Sequence, residues 1–264
     1  MNSPLSQPRM RAQNLGVSYQ GHEVLKGLDL DIPAGAVTTL IGPNGCEKST
    51  LLQALATLLP HSGSVELDGQ DFSSLKRTTR ARQLAMLPQQ PTAPEAVTVE
   101  ELVSRGRHPH QSWMRRWSAQ DAEQVERALV LCDVAKLAQR PLGSLSGGQK
   151  QRVWIAMTLA QDTPTVFLDE PITYLDLSHS IDVLRLVAQL RTDQGKAIVM
   201  VLHDLNLAIR HSDFLVAMSP TGEIYAQGTP AEIITADLLR EIFDLEALVV
   251  TDPVTGGPMV VPAL

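Results

Sequence analysis

Cysteine is scarce in this chain of 264 residues, basic charge is outweighed, and no long apolar run occurs. The two cysteines, Cys46 and Cys132, form no CxxC pair, so the sequence writes neither a metal knuckle nor a redox dithiol. Two separate thiols fit a reducing compartment. A formal net charge of -7 argues against a nucleic-acid partner, because phosphate backbones are held by a basic field. No stretch approaches the ~18 apolar residues that a membrane-spanning helix needs. The apolar run Ala197–Leu202 falls far short. Residues Met1 to Asn14 are polar, include Pro4 and Pro8, and lead into no apolar segment of the kind a secretory signal carries. If this protein serves a membrane, the expectation is that it does so through a partner.

What is present suits a folded domain. Hydrophobic residues make up 44% of the chain and charged residues 19%, and the length allows a sizeable core in one or two domains. Leu28, Leu30 and Ile32 alternate with Asp29 and Asp31, the period of a half-buried strand. Val37–Ile41 is a short apolar run that ends at a glycine-rich loop. Beyond the loop, Leu51, Leu52, Leu55, Leu58 and Leu59 recur at helical spacing. Thr165–Leu168 and Ala197–Leu202 read as buried strands, with a helix near Ser180–Arg191 between them. Strands alternating with helices predict an α/β fold with a largely parallel sheet. From about Pro91 to Leu142 the signals are helical. Ser118 with Asp121 forms a capping box, followed by Val125, Ala128, Leu129 and Cys132 on one face. Thr229-Pro230-Ala231-Glu232 is a further helix start, and Asp252–Pro258 is rich in turn residues.

Four motifs occur in a fixed order. Gly42-Pro43-Asn44-Gly45-Cys46-Glu47-Lys48-Ser49-Thr50 lies between a strand and a helix, the context of a phosphate loop. Its backbone N–H groups and helix start supply partial positive charge. Lys48 would reach the β- and γ-phosphates of a nucleotide, and the Ser49 hydroxyl would ligate Mg²⁺. Leu145-Ser146-Gly147-Gly148-Gln149 precedes a helix with Val153, Ile155 and Met157 on it. Asp169-Glu170 ends an apolar strand, and a lone His203 follows another.

This order and spacing resembles the ATP-binding subunit of ABC transporters, from about Met10 to about Ile242. The resemblance implies a RecA-like P-loop NTPase core with an antiparallel β edge and an inserted helical subdomain. It implies one ABC ATPase domain over 10–264, with 1–90 and 143–264 as the core and C-terminal tail and 91–142 as the helical subdomain. No internal repeat is visible, so there is one nucleotide-binding unit. The implied cofactors are ATP and Mg²⁺. Asp169 would hold Mg²⁺, Glu170 would orient or deprotonate the attacking water, and His203 would touch the γ-phosphate. Gln89, after the strand Leu84–Pro88, would contact Mg²⁺ and water; Gln90 is its neighbour, and Gln89 is preferred because it follows the strand directly. Tyr19 would stack on adenine. Ser146, Gly147, Gly148 and Gln149 would cover the ATP of a second subunit in a head-to-tail homodimer. Thr173-Tyr174-Leu175-Asp176 matches the D-loop at that seam. Partners would be transmembrane permease subunits and, indirectly, a substrate-binding protein, with the chain peripheral at the cytoplasmic face of the inner membrane.

Two residues depart from the family's pattern. Ile172 stands where threonine is usual, and Glu47 stands where glycine precedes the lysine. A carboxylate ~5 Å from a phosphate at an effective dielectric of ~20 costs about 3 kcal/mol, a ~100-fold loss of affinity. A nucleotide-binding subunit impaired by Glu47 is therefore one alternative, unless the side chain swings into solvent. A non-transport ABC ATPase is another, but such proteins usually carry two ATPase units, long coiled coils or basic surfaces, and none is visible. Gly106-Arg107-His108-Pro109-His110-Gln111, Gln151-Arg152-Val153-Trp154-Ile155-Ala156-Met157 and Leu202-His203-Asp204-Leu205-Asn206 resemble the ATPases of bacterial iron–siderophore importers of the ferric enterobactin kind. Relatives for haem and cobalamin share much of this.

Overall fold

The structure, a computed structural model, describes residues 8–111, 117–173 and 175–263. The chain forms two compact units, Met1–Ser74 with Ala197–Leu264, and Leu75–Lys196. In chain order the first unit opens with β1 (Met10–Tyr19), β2 (His22–Ile32), β3 (Val37–Ile41), α1 (Lys48–Leu55), β4 (Ser62–Leu67) and β5 (Gln70–Asp71). The second unit contributes α2 (Arg77–Gln83), β6 (Leu84–Leu87), α3 (Val99–Ser104), α4 (Ala119–Leu131), α5 (Gly147–Ala160), β7 (Thr165–Asp169) and α6 (Leu177–Gln194). The first unit resumes with β8 (Ala197–Val201), α7 (Leu205–Arg210), β9 (Phe214–Met218), β10 (Ile224–Gly228), α8 (Pro230–Ile233), α9 (Ala236–Phe243), β11 (Ala247–Thr251) and β12 (Pro258–Pro262).

In the first unit β1 lies between β2 and β4, antiparallel to both, and β5 extends the sheet from β4. The alternation read from β2 is the observed one: Leu28, Leu30 and Ile32 are buried, and Asp29 and Asp31 are exposed. A separate pairing places β3 between β8 and β9, parallel to each, with β10 antiparallel on β9. Every residue of β3 and of β8 is buried. A strand covered on both faces has no side for water, which is why these segments read as unbroken apolar runs.

The helix α1 stops earlier than its leucine spacing predicts. Thr57 adopts φ 53, its N–H donates to Ala54 O at 2.9 Å, and Leu58 N–H donates to Gln53 O at 3.0 Å. These two bonds are a Schellman closure, which satisfies the last carbonyls and turns the chain out of the helix. Leu58 is consequently 65% exposed and lies outside the apolar face.

In the second unit β6 and β7 are parallel, with Leu84 opposite Thr165 and Leu87 opposite Leu168. Between them, the described residues of 91–142 hold helices and 3₁₀ turns, and their only β pairing is an isolated bridge from Thr98 to Pro141. The capping box at α4 is present: Asp121 N–H donates to Ser118 Oγ at 3.2 Å, and Ser118 N–H donates to Asp121 Oδ2 at 3.0 Å. Asp121 does more than cap. Arg107, in the 3₁₀ turn Arg105–His110, donates through Nε to Asp121 Oδ1 at 2.9 Å and through Nη1 to Ala160 O at 2.8 Å. Both residues are only 2% exposed, so the pair clamps the start of α4 to the end of α5 as a buried ion pair. Burial pushes the Asp121 carboxyl up, but hydrogen bonds from Ser118 and Arg107 outweigh it and hold the group below its ordinary value.

The tail is more ordered than its turn-rich composition suggests. β11 and β12 form an antiparallel hairpin around Asp252–Gly257. Asn206 holds it by donating to Val260 O at 3.0 Å and accepting from Val260 N–H at 2.9 Å. Arg210 adds a bond to Asp252 at 2.9 Å. Among the described residues no helix is long and apolar enough to cross a membrane.

The buried pair gives a stability test. Arg107→Ala leaves the Asp121 charge buried without its cation, which costs about 3–5 kcal/mol. Chemical denaturation should show that loss. Because the Asp121 carboxyl is held low in the folded state, its contribution is present at neutral pH and fades as acid protonates it. A loss below about 1 kcal/mol would show that the clamp is dispensable.

Candidate functional site

The end of β3 delivers the chain into the phosphate loop. Gly42 has φ +153, and a Cβ there would lie 2.7 Å from Cys46 Sγ and 2.7 Å from Met218 O. Gly45 sits at φ +81, a conformation that side chains rarely adopt. Lys48, the first residue of α1, is 6% exposed and curls back over the loop. Its Nζ donates to Gly42 O at 2.9 Å and Pro43 O at 2.8 Å, and lies 3.6 Å from Cys46 Sγ. The ammonium thus holds the loop carbonyls inward, and its three donors are already engaged. An anion bound here must share or take over one of those bonds. Burial pushes the Cys46 thiol up despite the nearby Lys48, so it stays a thiol and not a nucleophile.

Glu47 is the N-cap of α1, in the left-handed conformation at φ 68 and ψ 28. Its side chain caps no backbone amide of the helix. It is half-buried, and Oε2 accepts from the Thr50 hydroxyl at 2.6 Å. The carboxylate has therefore not swung into solvent; it sits on the first turn of α1. That position favours an anion, so Glu47 occupies electrostatically the place where a phosphate would gain most.

His203 follows β8 and is exposed. Leu40 of β3 pairs with Val201 of β8, so Gly42 and His203 each lie two residues beyond the same rung at the C-terminal end of parallel strands. Ligands of open α/β sheets bind outside that end. Tyr19 ends β1 and is 44% exposed.

The second unit repeats the device. Leu87 of β6 pairs with Leu168 of β7, and two residues further on stand Gln89 and Glu170. Gln89 Nε2 donates to Glu170 Oε1 at 2.7 Å. Asp169 is buried as the last residue of β7, and Glu170, also buried, takes φ 52. A bond that inspection of the sequence missed meets the other oxygen: Thr173 Oγ1 donates to Glu170 Oε2 at 2.9 Å. Gln151 of α5, also missed, donates to Pro171 O at 2.8 Å.

Ser146 is the N-cap of α5, with Gln149 N–H donating to Ser146 Oγ at 3.3 Å and Ser146 N–H to Gln149 Oε1 at 3.1 Å. Ser146 and Gly147 are exposed at that helix start. Asp176 caps α6, accepting from His179 N–H at 2.9 Å, and this bond together with the His179 ring holds its carboxyl at about 2. Tyr174, from the D-loop match, lies outside the described residues.

A glycine loop closed by its own lysine, between a fully buried strand and a helix start, defines a P-loop nucleotide-binding protein. The ABC transporter family matches residues 25–173, over half of the chain. An achromobactin transport ATP-binding protein of Dickeya dadantii (strain 3937) is 49% identical over 252 residues, 95% of this chain and 93% of that one. A ferric enterobactin transport ATP-binding protein of Escherichia coli (strain K12) is 45% identical over 255 residues, covering 96% and 94%. A solved structure described as a metal-chelate type ABC transporter, in an inward-facing conformation, matches with a TM-score of 0.83 at 26% identity and covers 98% of both chains. The chain belongs to the ABC transporter family, and its fold is that of the family's ATPase cassettes.

The position of Glu47 sets a binding test. Glu47→Gly removes the carboxylate from the start of α1 and places glycine at a left-handed φ. ATP affinity should rise by about 100-fold if the Coulomb cost of about 3 kcal/mol holds. Nucleotide titration of both forms measures this, and equal affinities would mean that Glu47 does not face the phosphates.

Proposed function

We propose that this chain is the ATP-hydrolysing subunit of a bacterial ABC importer that takes up iron–siderophore complexes. The observation that carries the catalytic reading is the Glu170 carboxylate, buried directly after Asp169 and bonded to Gln89 at 2.7 Å. The likeness to achromobactin and ferric enterobactin transport proteins over nearly the whole chain supports the substrate class.

Roles follow from the chemistry of each group. The loop Gly42-Pro43-Asn44-Gly45-Cys46-Glu47-Lys48-Ser49-Thr50 holds the phosphates, with Lys48 serving the β- and γ-phosphates. Tyr19 stacks on the adenine. Ser49, Asp169 and Gln89 would hold Mg²⁺, a hard cation that takes oxygen ligands and few carboxylates. When bound, Mg²⁺ neutralises charge on the phosphates. Glu170 orients the attacking water and accepts its proton as the water oxygen bonds to the γ-phosphorus and the bridging oxygen leaves with ADP. His203 donates to the γ-phosphate.

Ser146, Gly147, Gly148 and Gln149, with Asp176, serve the ATP of a second copy in a homodimer. An exposed helix start with two glycines suits a phosphate brought by a neighbour. Residues 91–142 act as the helical subdomain of one ATPase domain spanning 10–264. The working partners are transmembrane permease subunits and, through them, a substrate-binding protein, with this chain peripheral at the cytoplasmic face of the inner membrane.

Glu170→Gln tests the reading. The variant should bind ATP as the parent does and release phosphate at least 100-fold more slowly, the scale of a lost general base. In cells lacking this chain, ferric siderophore uptake should be restored by the parent and not by Glu170→Gln. Rescue by both would remove Glu170 from the chemistry. Unchanged uptake of every siderophore in the deleted strain would remove the substrate class.

A further inference from the structure

We propose that Thr173 is a positioning residue for Glu170, holding its carboxylate in the orientation that hydrolysis requires. The inference rests on the reading of Glu170 as the group that orients the water. The carboxylate is fixed from two sides: Gln89 donates to Oε1 at 2.7 Å from beyond β6, and Thr173 donates to Oε2 at 2.9 Å from the turn after β7. With one bond alone, a carboxylate on a three-torsion side chain still swivels about that bond. With both, its plane is set.

The hydroxyl is not what closes the turn. Thr173 N–H donates to Glu170 O at 3.3 Å, Leu175 N–H to Ile172 O at 3.2 Å, and Gln151 Nε2 to Pro171 O at 2.8 Å. These main-chain bonds and the Gln151 brace remain without the Thr173 hydroxyl, which donates to the Glu170 carboxylate. Ile172 carries no hydroxyl, so the first hydroxyl after Pro171 stands at position 173. Misplacement of a catalytic group by about 1 Å costs up to ~100-fold in rate; loss of one of two restraints should cost less.

The test compares Thr173→Val and Thr173→Ser with Glu170→Gln and the parent, full-length, in both the Glu47 and the Glu47→Gly backgrounds. Valine keeps the shape and removes the hydroxyl; serine keeps the hydroxyl. Thr173→Val should lower kcat about tenfold, leave ATP Kd, KM and Tm within twofold of ordinary scatter, and be rescued by Thr173→Ser to near the parent rate. Parent-like kcat in Thr173→Val overturns the proposal. Equal loss in valine and serine variants overturns it too, since the methyl packing and not the hydroxyl would then matter. A matched fall in ATP affinity would make the role structural. Parent-like turnover in Glu170→Gln, or no turnover in any form, removes the reading beneath it, an outcome separate from failure at Thr173 alone.

Discussion

A loop that binds phosphate with its backbone must turn its N–H groups outward, and that leaves its carbonyls facing one another in the interior. Lys48 resolves this conflict. Its ammonium lies buried against the Gly42 and Pro43 carbonyls, and so gathers the dipoles that the outward amides would otherwise leave uncompensated. The close seat of Gly42 on Met218 and Cys46 fixes where the loop begins. The buried strand β3, pinned by parallel neighbours on each side, fixes its direction. Everything downstream, including the axis of α1 and the position of Ser49 on its first turn, inherits its placement from these contacts.

Backbone strain marks the same chemistry. Among the described residues nine non-glycine residues have positive φ, and five of them are Asn or Asp, the side chains that tolerate this conformation in turns. The two glutamates among the nine are Glu47 and Glu170. Neither has the short polar side chain that eases a left-handed turn, so each conformation is held by its surroundings. At Glu170 those surroundings are Gln89 and Thr173. At Glu47 they are the loop and the Thr50 hydroxyl. A local rule is broken where the site demands a particular backbone direction, which is where such exceptions are expected.

Much of this was legible in the chain. The all-buried strands β3, β7 and β8 announced themselves as apolar runs, and the capping box at Ser118 and the helix start at Thr229 fell where they were read. The motif residues from Gly42 to His203 could be found by order alone. What could not be read depended on partners distant in sequence or on single backbone torsions. Leu58 fits the helical period, yet a left-handed Thr57 ends the helix before it. The hairpin β11–β12 depends on Asn206, more than forty residues upstream. Thr173 looked like one letter of a motif, because nothing in its neighbours shows that its hydroxyl points back at Glu170.

The recurrence of one device in both units explains why so few residues suffice. In parallel pairing two strands run in step, so residues equally far past a paired rung emerge side by side. Leu40 and Val201 bring out Gly42 and His203; Leu87 and Leu168 bring out Gln89 and Glu170. Inside the sheet such polar groups would be desolvated at a cost of several kcal/mol. Two residues beyond the last rung they can still meet one another and water. Hence the interior of these strands can be chosen for packing alone, and the chemistry is concentrated in the first residues past their ends. An antiparallel pair cannot do this, because its two chains leave a given rung in opposite directions. The antiparallel β1–β2 hairpin accordingly places only Tyr19 among the candidate site residues, whereas the parallel pairs β3–β8 and β6–β7 each bring out two side by side.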